Sequence, residues 1–259
     1  MSTNLIIGSS HSIRFTQYIG SIEELENVAG QEGLVIKSRL EDEFILFYMN
    51  PSAPFLSYTI ENDLLISHYQ GDAINKIREL NKVGNTTFFQ IGGNEHNSYF
   101  FIENKLPFDF FDPSIKTIIK KRQVIPRKVI VNFLRKQMSY TQLSLGTLSK
   151  ELSLTQKYFI APPPPIPSEE HIKKSPEVFN LEKDVLEDKY VRLKIYNIYT
   201  ELLQEFCEMN DVLLIKTPED TLDSEGFLKE EYWNHSTHAD PNYYGRILHS
   251  IGLPIHAPI

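Results

Sequence analysis

Apolar residues gather along the chain into five short runs, each of strand length and each ended by a turn signal. They are NLIIG (4–8), LLISHYQG (64–71), TTFFQIGGN (86–94), KYFIAPPPP (157–165) and VLLIKTP (212–218). Between them the spacing changes to that of an amphipathic helix, over DAINKIREL (72–80), around RKVIVNFLRKQ (127–137) and through the long segment 181–210. Another helix-like stretch, PNYYGRILHSIG, lies close to the C-terminus. Strands that are apolar almost throughout bury both faces, and alternation with helices supplies the crossovers that parallel strands need. The pattern therefore predicts an α/β fold, three-layered and doubly wound, with a mainly parallel five-stranded sheet and helices on both faces.

Two stretches break the alternation. Residues 33–60, GLVIKSRLEDEFILFYMNPSAPFLSYTI, read as a small β-rich excursion of two or three short strands at a sheet edge. Residues 160–180 open with IAPPPPIP, and Pro162 to Pro165 lack the amide hydrogens of a helix, so an extended connection is expected. The stripe Tyr190, Leu193, Ile195, Tyr196, Tyr199, Leu202 and Phe206 keeps helical spacing and reads as core. Lys120, Lys121, Arg122, Arg127 and Lys128 read as a solvated helix face. No internal repeat or low-complexity linker divides the chain, so residues 1–259 are expected to form a single domain.

Composition narrows the partners. With 34 acidic against 26 basic residues the net charge is −8, the wrong sign for nucleic acid or an anionic membrane as the main partner. A small or neutral ligand fits better. Cys207 is the single cysteine and falls in a helical pattern, which excludes a disulfide framework or a cysteine-based zinc site and reads as a buried apolar side chain. The N-terminus carries neither the basic segment nor the apolar run of a secretory signal, and no run approaches the ~18 apolar residues of a membrane span, so a cytoplasmic protein is expected.

In a doubly wound fold the ligand crevice lies outside the carboxyl ends of the strands. The first run delivers Gly8-Ser9-Ser10-His11 there, the second Gly71-Asp72, and the third Gly92-Gly93-Asn94-Glu95-His96. Near the C-terminus NHSTHADP adds His235 and His238. Serine, histidine, glycine amides and an asparagine amide are what acyl transfer requires. A serine hydroxyl needs a base to take its proton, and the oxyanion of the tetrahedral intermediate needs N–H donors. Singly, each feature has a plainer reading: a helix cap for the serines, a tight turn for Gly92 and Gly93, a turn-stabilising amide for Asn94. His235 and His238 also suggest a metal, but a third ligand at recognisable spacing is missing, so neither metal nor cofactor is expected.

Taken in order, these blocks resemble the SGNH/GDSL hydrolase superfamily, in which four separated segments supply serine, glycine, asparagine and histidine. GSSHS (8–12) is similar to its first block, YQGD (69–72) to the second, GGNE (92–95) to the third and HSTH (235–238) to the fourth. The resemblance implies a flavodoxin-like architecture with Ser10 as nucleophile and His238 as base. It gives the oxyanion to the backbone amides of Ser10 and Gly71 and the side chain of Asn94. It further implies a serine esterase or deacetylase, or an O-acyltransferase that passes the acyl group to a sugar hydroxyl. The tail HADPNYYGRIL resembles members associated with bacterial surface-carbohydrate gene clusters, which points to an acylated carbohydrate or small metabolite as substrate.

Three positions depart from the family pattern. His235 stands where an aspartate usually orients the base, Ser9 where the first block has aspartate, and Glu95 where the third has aspartate. A backbone carbonyl, Asp240 or Glu231, or neutral His235 itself would have to orient His238. The same departures also fit a site that has kept binding and lost catalysis.

Overall fold

The computed structural model describes residues 3–20, 34–36, 43–49, 56–61, 64–69, 71–175 and 185–252. The chain begins with β1 (Thr3–Gly8), α1 (Ser10–Ile19), β2 (Leu34–Ile36), β3 (Glu43–Tyr48), β4 (Leu56–Glu61), β5 (Leu64–Tyr69) and α2 (Ala73–Glu79). Next come β6 (Thr86–Gln90), α3 (Glu95–Phe100), β7 (Phe108–Asp109), β8 (Gln123–Val124), α4 (Arg127–Gln137) and α5 (Ser139–Glu151). The last elements are β9 (Gln156–Ile160), α6 (Glu169–Lys174), α7 (Lys189–Met209), β10 (Leu213–Ile215) and α8 (Pro241–Ser250).

The main sheet has the order β10-β9-β6-β1-β3-β2. Five of these strands are parallel, and β2 runs antiparallel along the β3 edge. Taken by sequence, the parallel strands follow the 2-1-3-4-5 order of a flavodoxin-like fold, whose ligand crevice opens between the first and third strands, here β1 and β6. The expected α/β class holds. One strand assignment does not. β5 (Leu64–Tyr69), from the run LLISHYQG, is outside the sheet, because it pairs antiparallel with β4 in a separate ribbon, Leu56 opposite Tyr69. The sheet's second parallel strand is β3, from the stretch expected to lie at an edge. Its apolar side chains are buried on both faces, Phe44 and Leu46 on one and Phe47 on the other, as an interior strand requires.

Alternation along the strands builds two cores. Ile6, Phe44, Leu46, Phe88 and Ile160 face Phe15 and Ile19 of α1 and Tyr243, Tyr244, Ile247 and Leu248 of α8. Leu5, Ile7, Phe47, Phe89 and Phe159 face the opposite way, onto apolar residues of α2, α4, α5 and α7. These are the outer layers of the three. The proline run lies outside any helix or strand and is buried, and the carbonyl of Pro162 accepts a hydrogen bond from Tyr196 Oη at 3.0 Å.

The basic residues do not share a solvated helix face. Arg122 lies in a turn before β8 and pairs with Glu103 (2.6 Å) and the buried Glu187. Arg127 opens α4 and reaches Glu201 on α7 at 2.6 Å. Lys194 on α7 is fully buried with Asp109, Nζ to Oδ1 2.8 Å.

Candidate active site

The site starts where β1 becomes α1. Gly8 is needed because a Cβ there would lie 2.8 Å from Gln90 O and 3.0 Å from Ser12 Cβ. The turn is fixed by Ser9 N–H donating to Gln90 O (3.2 Å) and Ser12 N–H to Ser9 O (2.9 Å). Neither serine caps the helix through its side chain: Ser9 Oγ donates to Gly92 O (3.0 Å) and Ser12 Oγ to Ser9 O (2.5 Å). Ser10 is thereby the first residue of α1, at the positive end of the helix dipole, where first-turn N–H groups have no partner inside the helix.

His238 arrives on the loop before α8. Asp240 starts that helix, its Oδ1 accepting from Tyr243 N–H and its Oδ2 from Asn242 Nδ2, both at 3.0 Å. Helix α8 lies directly on α1, since Gly245 brings the Tyr18 ring to 2.6 Å from where a Cβ would sit, and Tyr244 packs on Phe15 with ring centroids 5.8 Å apart. Residues 228 apart in sequence thus meet, with His238 Nε2 3.3 Å from Ser10 Oγ. On the other side of the ring, Thr237 Oγ1 is 3.2 Å from Nδ1. His235 stands edge-on to His238, ring centroids 6.4 Å apart.

The third wall is the turn after β6. Gly92 and Gly93 have φ of +72° and +98°, which disfavour any side chain. Glu95 ties this turn down: Oε2 accepts from Gly93 N–H and Tyr199 Oη, both at 2.9 Å, and Oε1 accepts from Thr141 Oγ1 at 2.5 Å. Burial, and then Glu95, hold the Tyr199 hydroxyl well above its ordinary pKa, so it stays protonated as a donor. Asn94 follows at the start of α3, its Oδ1 accepting from Asn97 Nδ2 at 3.3 Å.

Behind Ser10 sits His11, buried and stacked on His238 with centroids 4.5 Å apart and planes 35° from parallel. Only glycine at 93 leaves room for it, since a Cβ there would meet His11 Cδ2 at 2.8 Å. Burial, helped by neighbouring His96, lowers the His11 pKa to about 4. Burial alone takes His96 to about 3, so both rings are neutral at pH 7.

A cleft of ≈ 380 Å³ opens beside the nucleophile, with Ser9, Ser10, Gly92 and Asn94 among its lining. Tyr48, Met49, Ile91 and Tyr140 give it apolar walls. The structure therefore brings together Ser10, His238, Asn94, Gly92 and Ser9, with His235 and Asp240 on the histidine loop. Gly71 is not among the described residues lining the cleft. It is exposed, with φ +65°, in the turn between the β4–β5 ribbon and α2.

Three contributors escape the sequence pattern. His11, to which the four blocks give no role, packs on His238. Tyr199 reads as core and is buried, yet its hydroxyl holds the Gly93 turn; a hydroxyl inside an apolar stripe was the available signal. Thr141 gave no signal.

No protein-family model matches the chain, and no curated protein matches it in sequence. Among solved structures the chain is similar to a protein of Streptococcus pneumonia provisionally named a platelet activating factor. The identity is 13%, with 96% of this chain and 83% of that chain covered and a TM-score of 0.46.

Proposed function

We propose that this chain is a serine-dependent ester hydrolase of the SGNH type, acting on an acylated carbohydrate or small metabolite. The observation that carries the reading is the 3.3 Å approach of His238 Nε2 to Ser10 Oγ at the N-terminus of α1. A hydroxyl within reach of an imidazole is a nucleophile with its base, and the end of a helix is where a developing anion is stabilised.

In the acylation step Ser10 Oγ attacks the ester carbonyl carbon while its proton passes to His238 Nε2. The carbonyl oxygen becomes an oxyanion facing the Ser10 amide and the Asn94 carboxamide. As the intermediate collapses, the bond to the alcohol oxygen breaks and His238 returns the proton to that oxygen. Water then attacks the acyl-serine, giving a proton to His238; the bond to Ser10 Oγ breaks, His238 returns the proton to that oxygen, and the acid leaves. A sugar hydroxyl in place of water would complete an O-acyl transfer by the same half-reaction. Thr237 Oγ1 beside Nδ1 suits an Nδ1–H tautomer, which turns the Nε2 lone pair toward Ser10. We assign Gly71 no part in holding the oxyanion.

Hydrolysis of short-chain p-nitrophenyl esters tests this. Ser10→Ala and His238→Ala are each expected to lower kcat about 10³-fold or more, with far-UV circular dichroism unchanged. Wild-type activity that survives Ser10→Ala would remove the nucleophile from the account. A wild-type chain inert to every ester would favour a binding protein on the same fold.

A further inference from the structure

The cleft beside Ser10 is larger than an acetyl group fills, and it lies on a defined side of the nucleophile. Resting on the serine hydrolase reading, we propose that it is the acyl pocket, and that the substrates are esters of medium-length acyl groups, about six to eight carbons, in preference to acetates.

The side follows from proton traffic. A histidine that takes the serine proton gives it to the departing alcohol oxygen, so the alcohol half of the ester lies against that histidine. His238 comes to Ser10 from the α8 side and is not among the described residues lining the cleft. The lining runs instead along the ends of β3 and β6, the first turn of α3 and the start of α5. With the alcohol half beside His238, the acyl half enters the cleft.

The chemistry of the walls sets the class. Met49 and Ile91 are core residues that also border the cleft, and Tyr48 and Tyr140 add aromatic surface. Among the described residues Glu95 is the one carboxylate in the lining. Its oxygens already accept three hydrogen bonds, from Gly93, Tyr199 and Thr141, so most of its acceptor capacity is spent within the protein. A volume of ≈ 380 Å³ falls at the small end of ligand pockets. An apolar chain displaces water from it, whereas an acetyl group leaves most of it wet.

Complete burial of a methylene is worth about fourfold in kcat/KM and half burial in an open cleft about twofold, so four methylenes give about 15-fold. Wild-type enzyme is therefore expected to favour p-nitrophenyl hexanoate over the acetate by about 15-fold. Two isomeric esters separate the sides of the carbonyl: methyl hexanoate should be cleaved faster than pentyl acetate. Ser98 lies exposed on α3 at the cleft, and Ser98→Trp should bring the hexanoate-to-acetate ratio to about 3 or less. A flat chain-length profile, a preference for pentyl acetate, or a ratio unmoved by Ser98→Trp overturns the pocket assignment. Labelling of wild-type Ser10 by a fluorophosphonate, followed by peptide mapping, shows which idea has failed. Label on Ser10 with a flat profile removes the acyl pocket alone, while no label and no ester hydrolysis remove the serine reading and this one with it.

Discussion

Gly93 supports the site in two ways that one substitution tests together. Gly93→Ala forces a side chain onto φ +98° and places its Cβ 2.8 Å from the ring of His11. The backbone strain alone is worth about 1–3 kcal/mol, offset in part by the loss of glycine's freedom in the unfolded chain. Gly84 isolates that contribution, because its φ is +93° and nothing lies within 4 Å of its Cβ position. We expect Gly84→Ala to cost about 1 kcal/mol in urea unfolding. Gly93→Ala should cost about 2–4 kcal/mol, since His11 is fully buried and cannot swing aside, and overpacking adds roughly 1–3 kcal/mol. The kinetic effect goes further. A displaced His11 presses on His238 across a 4.5 Å stack and disturbs the 3.3 Å contact with Ser10, so kcat/KM in folded protein should fall about tenfold or more. Gly93→Ala as stable as Gly84→Ala, with unchanged kcat/KM, would refute both the packing and the coupling.

Other outcomes follow from the same structure. His11 and His96 have folded pKa values depressed to about 4 and about 3, so the unfolded chain binds more protons between those values and 6.5. Stability is therefore complete above about pH 6.5 and is lost as pH falls toward 4, by on the order of 3 kcal/mol from His11 alone; urea midpoints flat from pH 7 to 4 would contradict this. Tyr199→Phe removes the hydroxyl that donates to Glu95, and should cost about 1–3 kcal/mol and lower kcat more than it raises KM, read by denaturation and steady-state kinetics. Lys194→Met leaves Asp109 buried without its cation and should cost about 3 kcal/mol or more, and a urea midpoint equal to wild type would show the pair to be idle.

Much of this arrangement was legible in the sequence, for reasons that also mark where legibility ended. β1, β6, β9 and β10 announced themselves because strands buried on both faces are apolar almost throughout. The same rule could not say which strands pair. FILFY is apolar throughout and LLISHY carries Ser67 and His68, yet both read as strands, and only tertiary contacts send the first into the sheet and the second into a ribbon. Ser10, Asn94 and His238 were singled out by their order along the chain, and the structure places His238 beside Ser10 and Asn94 in the same cleft lining as Ser10. The stacking of His11 on His238 and the grip of Tyr199 on Glu95 join residues more than 100 positions apart, beyond any local periodicity. Periodicity placed Tyr199 in the core correctly, but it reads burial and is silent about where a hydroxyl points.

The central claim is that Ser10 is a nucleophile activated by His238. Timed labelling with a fluorophosphonate, read by mass spectrometry of the peptide containing Ser10, tests it most directly. The account predicts stoichiometric modification of Ser10 in wild type, none in Ser10→Ala, and labelling slowed by about 10²-fold or more in His238→Ala. Modification of a different residue, or a Ser10 rate indifferent to the loss of His238, would contradict it.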